Sequence, residues 1–201
     1  MDVVDGLCAD LRLWKECLVR EEGIGSDCAP SVYAFDGSGG LLGFAVLVVP
    51  PVDRGDQFRR LVEVVGLMRE GWGAVGLAVA LEGFLTVDEG AVFDPDGLSL
   101  AERFALGDGD VFETVSVVFR EVGGVSRVHS MPYRQLVGRR VEWLSGLARD
   151  VSEGVAGGFP RVLERVFDVV VPVADDFVGC AELIAGCGFL VVSEFLGSGL
   201  N

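Results

Sequence analysis

The apolar run over residues 74–87 is the feature that most limits how this chain can fold. Its residues are almost all apolar, and Glu82 is its one charged residue. A run of this kind predicts a strand that is covered on both of its faces. It is also shorter than the roughly 20 residues that a helix needs to cross a bilayer. We therefore expect it to be a central strand of a sheet.

The segments before this strand carry the periodicities of helices and of a hairpin. Leu7, Leu11, Trp14 and Leu18 share one helical face. Glycine-rich turn residues separate two β-prone runs, which is typical of a hairpin. The predicted elements are a helix to residue 19, strands over 31–35 and 41–49, and a helix over 55–70 opened by Asp53.

A second hairpin follows the apolar strand, after an acidic, turn-rich stretch over residues 88–110. Residues 111–120 and 125–133 alternate, and the Gly-Gly pair at 123–124 suits a two-residue turn. With that turn, Glu113 faces Arg134 across the hairpin. We therefore expect a charge pair that closes one end of an apolar face and takes part in binding.

The hydrophobic period becomes helical after this hairpin. Apolar residues over 137–155 and over 162–167 fit helical faces, and Asp175 or Asp176 suits the cap of a helix to Gly186.

We expect an α+β fold with a mixed or antiparallel sheet, made of two hairpins plus the central apolar strand and packed by helices. The C-terminal third is predicted to be helical. The glycines at 154–158 suggest an α+β domain over 1–153 with an extension over 159–201, or a single domain over 1–201.

The order hairpin, helix, apolar strand, acidic loop and hairpin resembles a group of uncharacterised proteins of high-GC actinobacteria and their phages. The resemblance covers about residues 31–143 and includes the Gly-Asp pair at 107–108, Glu113, the Gly-Gly turn and the Pro-Tyr-Arg segment at 132–134. It implies an α+β domain of phage or phage-related origin. It supplies no catalytic residue.

Composition limits the partners and the compartment. Sixteen basic and 31 acidic residues give a net charge of -15, which is the wrong sign for attraction to nucleic-acid phosphates or anionic membranes. The N-terminus lacks the pattern of a secretory signal, and the five cysteines include no CxxC pair. We expect free thiols, no cofactor, and a location in the host cytoplasm or in a virion.

The carboxylate of Glu82 is the first candidate for a functional group, because a lone acid in an apolar run is costly unless it is paired, hydrogen-bonded or protonated. Asp108, Asp110 and Glu113 cluster just before the second hairpin. Together these four acids could supply oxygen ligands to a divalent cation. Metal nucleases that use an acidic cluster commonly add a lysine on a neighbouring strand, however, and no lysine follows Lys15. For Glu82 itself we favour a structural role, either at an exit to solvent or paired with an arginine, because a perturbed buried acid marks a functional site only in some proteins.

No motif specifies a reaction. The sequence has no GxSxG elbow, its one histidine is His129, and its glycine-rich run at 36–43 joins two strands and not a strand to a helix. We therefore expect a noncatalytic binding or assembly protein that contacts a protein partner or a second copy of itself. The alternatives are a divalent-metal-dependent hydrolase that uses the acidic cluster and an acidic inhibitor that mimics DNA.

Overall fold

The computed structural model describes residues 2–86, 98–124, 126–147, 149–151, 167 and 176–193. The helices are α1 (Val3–Glu21), α2 (Arg54–Gly71), α3 (Leu100–Ala105) and α4 (Phe177–Gly186), and a 3-10 turn covers Ser145–Leu147. The strands are β1 (Ser31–Phe35), β2 (Leu41–Leu47), β3 (Gly76–Thr86), β4 (Val111–Glu121), β5 (Arg127–Leu136), β6 (Arg140–Trp143), β7 (Arg149–Val151) and β8 (Phe189–Val192). Within these ranges no helix has both the length and the apolar character of a membrane span.

The strands form one sheet in the order β6–β5–β4–β3–β1–β2–β8, and β7 pairs with β5. Strand β3, the apolar run, lies in the middle of this order, and residues 76–81 of it are buried. Strands β1 and β2 are antiparallel, with Tyr33 opposite Phe44. The central apolar strand therefore has a sheet neighbour on each side, as its composition favours.

The predicted helical C-terminal third is wrong, although the chain is α+β as a whole. The segment expected to be a helix over 137–155 contains β6 and β7, and both of these strands pair with β5. Gly138 and Arg139 have φ values of 89° and 59°, and this left-handed backbone forms the turn into β6 and cannot continue a helix. Within β6, Val141 and Trp143 are half-buried while Arg140 and Glu142 are exposed, which is the period of a strand.

The predicted linker at 154–158 and most of the helix predicted over 162–167 lie outside the described residues. The helix expected before Gly186 is present as α4, and Asp176 is its N-cap, accepting a hydrogen bond from the backbone N–H of Gly179 at 2.5 Å.

The stretch over 88–110, expected to be a loop, includes α3. This helix begins with a capping box made by Ser99 and Glu102.

The chain divides into two compact units, each made of three segments. Unit 1 contains Met1–Cys28, Ala80–Val117 and Arg127–Pro160. Unit 2 contains Ala29–Val79, Val118–Ser126 and Arg161–Asn201.

Helix α1 provides the buried helical face of unit 1. The carboxylate of Asp2 caps the helix by accepting a hydrogen bond from the backbone N–H of Val4 at 3.2 Å. Helix α1 packs against β5 and β6. Its buried residues are Val4, Leu7, Cys8, Leu11, Lys15 and Val19. The buried face therefore includes a lysine and is rotated from the predicted one, since Trp14 and Leu18 are half-buried.

Helix α2 provides the buried helical face of unit 2. The predicted cap, Asp53, accepts a hydrogen bond from the backbone N–H of Asp56 at 2.8 Å. The helix packs against β1 and α4. Gly71 permits a close approach to α4, because a Cβ atom at this position would lie 2.0 Å from the Sγ atom of Cys180.

Candidate functional site

The side chains of β4 and β5 do not meet as predicted. Glu113 Oε1 accepts a hydrogen bond from Gln135 Nε2 at 3.1 Å and lies 3.5 Å from the hydroxyl of Tyr133. The guanidinium carbon of Arg134 instead lies 5.1 Å from the ring centroid of Phe112. Because side chains alternate along a strand, Glu113 and Arg134 lie on opposite faces of the sheet. The predicted charge pair between them is wrong.

The turn between the strands also differs from the predicted one. The backbone N–H of Gly124 donates to the carbonyl of Glu121 at 2.8 Å, and Gly123 has a φ of 75°. The central residues of the turn are therefore 122 and 123, one position earlier than predicted. Moving a two-residue turn by one position shifts the pairing by two residues, which by itself keeps side chains on the same faces. The hydroxyl oxygens of Ser116 and Ser130 lie 3.2 Å apart, however, so the pairing is shifted by one residue from the one that would place Glu113 opposite Arg134, and the faces are exchanged.

A buried ion pair connects α1 to β3. Lys15 Nζ donates to Glu82 Oε1 at 2.5 Å and to the backbone carbonyl of Ser26 at 2.5 Å. The exposed fraction of the side chain is 0% for Lys15 and 9% for Glu82. The predicted partner of Glu82 was an arginine or solvent, and the structure gives it the only lysine of the sequence instead.

The second oxygen of Glu82 is also bonded. The backbone N–H of Cys28 donates to Oε2, while the hydroxyl of Tyr133 donates to Oε1 beside the lysine. The ammonium of Lys15 in turn lies 4.8 Å from the ring centroid of Tyr133. The polar atoms of the buried pair are therefore satisfied by protein groups, as a buried charge requires.

Three carboxyl groups converge beside this pair. Oxygen atoms of Asp27, Glu82 and Glu113 lie within 4.8 Å of one another. Asp27 is exposed, and the other two are half-buried. Burial raises the pKa of Glu82, against the opposing effect of Lys15. Burial also raises the pKa of Glu113; the charge of Lys15 opposes this increase and the neighbouring Glu82 adds to it. We call Asp27, Glu82 and Glu113 the carboxylate triad.

The predicted candidates Asp108 and Asp110 belong to a turn and not to the triad. Asp108 accepts hydrogen bonds from the backbone N–H of Asp110 at 3.0 Å and from Arg103 Nε at 2.7 Å. These two donors hold the pKa of Asp108 below its usual value. Of the four acids singled out in the sequence, the structure therefore brings together Glu82 and Glu113.

An open groove of about 560 Å³ lies beside Glu113. The apolar residues that line it are Ile24, Phe104, Val111, Phe112 and Leu136. Its polar lining includes Glu113, Tyr133, Gln135, Arg134 and Asp108. All of these residues belong to unit 1. The groove is therefore mostly apolar and contains a half-buried carboxylate.

Gln135 holds Glu113 in a fixed position. Its Nε2 donates to Glu113 Oε1, and its Oε1 accepts a hydrogen bond from the backbone N–H of Gly25 at 2.8 Å. Oε2 of Glu113 accepts no hydrogen bond from any residue that the structure describes. Glu113 therefore offers one oxygen atom to a ligand, while its other oxygen is fixed by the protein.

Exposed apolar side chains belong to the groove or adjoin its lining: Ile24 and Phe104 line it, and Leu106 precedes the lining residue Gly107 in the chain. Ile24 and Leu106 are 63% and 75% exposed. The ring of Phe84 lies 5.1 Å from that of Phe104, and both rings are partly exposed. We call Ile24, Phe84, Phe104 and Leu106 the apolar rim. An apolar surface of this kind is typical of a contact with another molecule.

Sequence reasoning missed Lys15, Asp27 and Gln135. A signal existed for Lys15, which is four residues from both Leu11 and Val19 and so falls on the apolar helical face. No comparable signal distinguishes Asp27 or Gln135, because both reach the site only through the loop after α1 and the register of β5.

No family model, curated protein or solved structure matches this chain. The chemistry of the site therefore has to be inferred from its own residues. These provide a buried Lys15–Glu82 pair, a carboxylate with one unbonded oxygen at Glu113, and an apolar groove and rim.

Proposed function

We propose that this chain is a noncatalytic binding protein that holds a partner protein at the groove and the apolar rim. The observation that carries the proposal is the mostly apolar groove with the fixed carboxylate of Glu113 in its lining. Ligand sites in proteins are typically concave and apolar, with a few placed polar groups that orient the ligand. The exposed rim extends this apolar surface beyond the groove and suits a protein partner.

The bonding of the buried pair supports binding over catalysis. The side chain of Lys15 has no exposed area, and both oxygens of Glu82 accept hydrogen bonds from the protein. A general acid or base needs to reach the proton that it transfers, within hydrogen-bond distance or through one water. Glu113 keeps one free oxygen in the lining of the groove, and one carboxylate is sufficient to recognise a ligand.

Photo-crosslinking tests this function. We would introduce benzoylphenylalanine in place of Leu106 on the rim and, as a control, in place of Val52, which is 88% exposed and outside the groove. The two proteins would be irradiated in extracts of the native source and their adducts identified by mass spectrometry. We expect one protein to be captured at position 106 and not at 52. Equal capture at both positions, or none at 106, would contradict the proposal.

A divalent-metal-dependent hydrolase is the second candidate function, and the carboxylate triad favours it. Three carboxyl groups with oxygens within 4.8 Å of one another suit Mg²⁺, Mn²⁺ or Ca²⁺. The sequence argued against this function because no lysine follows Lys15, but Lys15 itself reaches the triad from α1. An acidic site with a nearby lysine is compatible with metal-assisted hydrolysis.

Thermal unfolding with each metal ion separates the two functions. A metal that binds only the folded protein at 100 times its Kd stabilises it by about 2.7 kcal/mol. The hydrolase function requires such a shift in the wild type and its loss in Glu113→Gln. Unchanged midpoints with all three ions would exclude metal binding by the triad under those conditions.

A further inference from the structure

We propose that the groove takes a basic side chain of the partner protein, a lysine or an arginine, whose charged end meets the free oxygen of Glu113. This inference rests on the proposed binding function and names the group that the groove recognises. It also predicts that the partner surface carries a basic residue surrounded by apolar ones.

The charges around Glu113 favour a cation. The carboxylate triad contains three acids, and Lys15 is the one basic group bonded to it among the described residues. Lys15 bonds to Glu82 and its charge also acts on Glu113, so one positive charge is shared among three acids. Burial raises the pKa of Glu113 despite the charge of Lys15, and the neighbouring Glu82 adds to the increase, so the ionised form of Glu113 is only partly compensated by positive charge. A basic side chain in the groove would complete that compensation.

The apolar lining favours a cation with a hydrocarbon stem. Lysine and arginine bury their methylene groups against apolar surfaces while their charged ends contact polar groups. Ile24, Val111 and Leu136 provide aliphatic surface along the groove, and the rings of Phe104 and Phe112 are also part of its lining. A bare metal ion would leave this apolar surface without a contact.

Arg134 is the basic residue that lines the groove, and its position is compatible with a second cation. It is exposed, its guanidinium lies on the ring of Phe112, and it lies on the opposite face of β5 from Tyr133, which contacts Glu113. Water and salt screen an exposed charge strongly, whereas the half-buried carboxylate of Glu113 is screened much less. The net preference of the groove is therefore for a positive group.

Small analogues of the two side chains test the inference directly. The probes are n-butylammonium and n-butylguanidinium, and n-butylurea serves as the neutral isostere of the second. Binding would be followed through the amide NMR signals of Gly25, Gly107 and Gly109, which line the groove. We expect both cations to shift these signals, and butylurea to bind at least about tenfold more weakly.

Two variants of β4 identify the carboxylate. Glu113→Gln keeps an acceptor oxygen for Gln135 but removes the charge, and Glu121→Gln removes an exposed charge at the end of the same strand. We expect at least about a tenfold loss of cation affinity in the first variant and none in the second. Glu113→Asp, which keeps the charge, distinguishes a lost charge from a disturbed fold.

The inference is overturned if the cations fail to bind, if butylurea binds equally well, or if Glu113→Gln retains the wild-type affinity. Crosslinking at position 106 separates these failures from a failure of the proposed function. A captured partner without cation binding means that the rim docks a protein and the groove recognises another group. Cation binding without a captured partner means that the groove is a site for small amines, which contradicts both proposals.

Discussion

Lys15 Nζ lies 2.5 Å from Glu82 Oε1, and this buried ion pair joins helix α1 to the apolar strand β3. Removing two charges from water is costly, and their attraction offsets that cost only where the remaining polar atoms are also hydrogen-bonded. The carbonyl of Ser26 accepts from the lysine, and the hydroxyl of Tyr133 and the N–H of Cys28 donate to the glutamate. These bonds explain how an otherwise apolar strand accommodates a carboxylate.

We predict that Lys15→Met is strongly destabilising, because it leaves the carboxylate of Glu82 buried without its cation. Loss of one partner of a buried pair typically costs about 3–5 kcal/mol of the free energy of unfolding. The double variant Lys15→Met with Glu82→Gln should be more stable than Lys15→Met alone, since no charge is stranded. Urea unfolding at neutral pH measures both effects.

The exposed ion pair between Arg59 and Asp56 provides the matched control. Its atoms also lie 2.5 Å apart, but the side chain of Arg59 is 67% exposed. Arg59→Met should therefore change the free energy of unfolding far less than Lys15→Met does. Comparable losses of the free energy of unfolding in the two variants would show that burial does not decide how much the Lys15–Glu82 pair contributes to stability.

The elements that were predictable from the sequence have strong local signals. Helix α2 combines an N-cap at Asp53 with apolar residues at helical spacing, and β1 and β2 flank a glycine-rich turn. The run that became β3 has a length and composition that suit a covered strand. These signals lie within one segment of chain and do not depend on distant contacts.

The features that were not predictable depend on choices that the local sequence leaves open. Adjacent glycines at 123 and 124 allow a turn at either of two positions, and each position brings different side chains together. The apolar residues over 137–155 fit a helix by spacing, but Gly138 and Arg139 form a turn that lets β6 pair with β5. The triad depends on the first of these results, because Glu113 reaches it through the hairpin register.

We predict that Gly71→Ala destabilises the protein, because the added Cβ atom would lie 2.0 Å from Cys180 Sγ and 2.9 Å from its Cβ. Overpacking of this kind typically costs about 1–3 kcal/mol. Gly186→Ala is the control, since it ends α4 and no atom lies within 4 Å of its added Cβ. Thermal unfolding should show a lower midpoint for Gly71→Ala than for the wild type, and a nearly unchanged midpoint for Gly186→Ala. Equal midpoints for the two variants would contradict the close packing of α2 against α4.

We predict that native alkylation modifies Cys17 first, because it is the exposed member of the five free cysteines. Burial raises the pKa of Cys28 to about 12 and that of Cys187 to about 11, so both thiols are poor nucleophiles at neutral pH. Intact-mass spectrometry after brief iodoacetamide treatment should show one modification, and five after denaturation without a reducing agent. Fewer than five after denaturation would indicate a disulfide, and a native product modified at Cys28 would contradict its burial.

The final prediction concerns the effect of pH on stability. Burial raises the pKa of Glu82 and of Glu113 above the ordinary value of 4.5. The folded state therefore holds these protons more tightly than the unfolded state. The resulting stabilisation is complete below pH 4.5 and is lost as the pH rises through the raised pKa values. Asp2 has the opposite effect, because the hydrogen bond from Arg127 lowers its pKa and its contribution is lost as the pH falls through that value.

Glu113→Gln isolates the contribution of the groove carboxylate to this profile. Glutamine does not titrate, so the variant should lose less stability than the wild type as the pH rises above 4.5 toward neutrality. Glu121→Gln is again the control and should follow the wild-type profile, since Glu121 is exposed. Urea unfolding at a series of pH values gives the two slopes. Parallel profiles for wild type and Glu113→Gln would mean that Glu113 has the same proton affinity in the folded and unfolded states. In that case burial would not destabilise the ionised form of Glu113. The electrostatic reason for a cation to bind beside this carboxylate in the groove would then be gone.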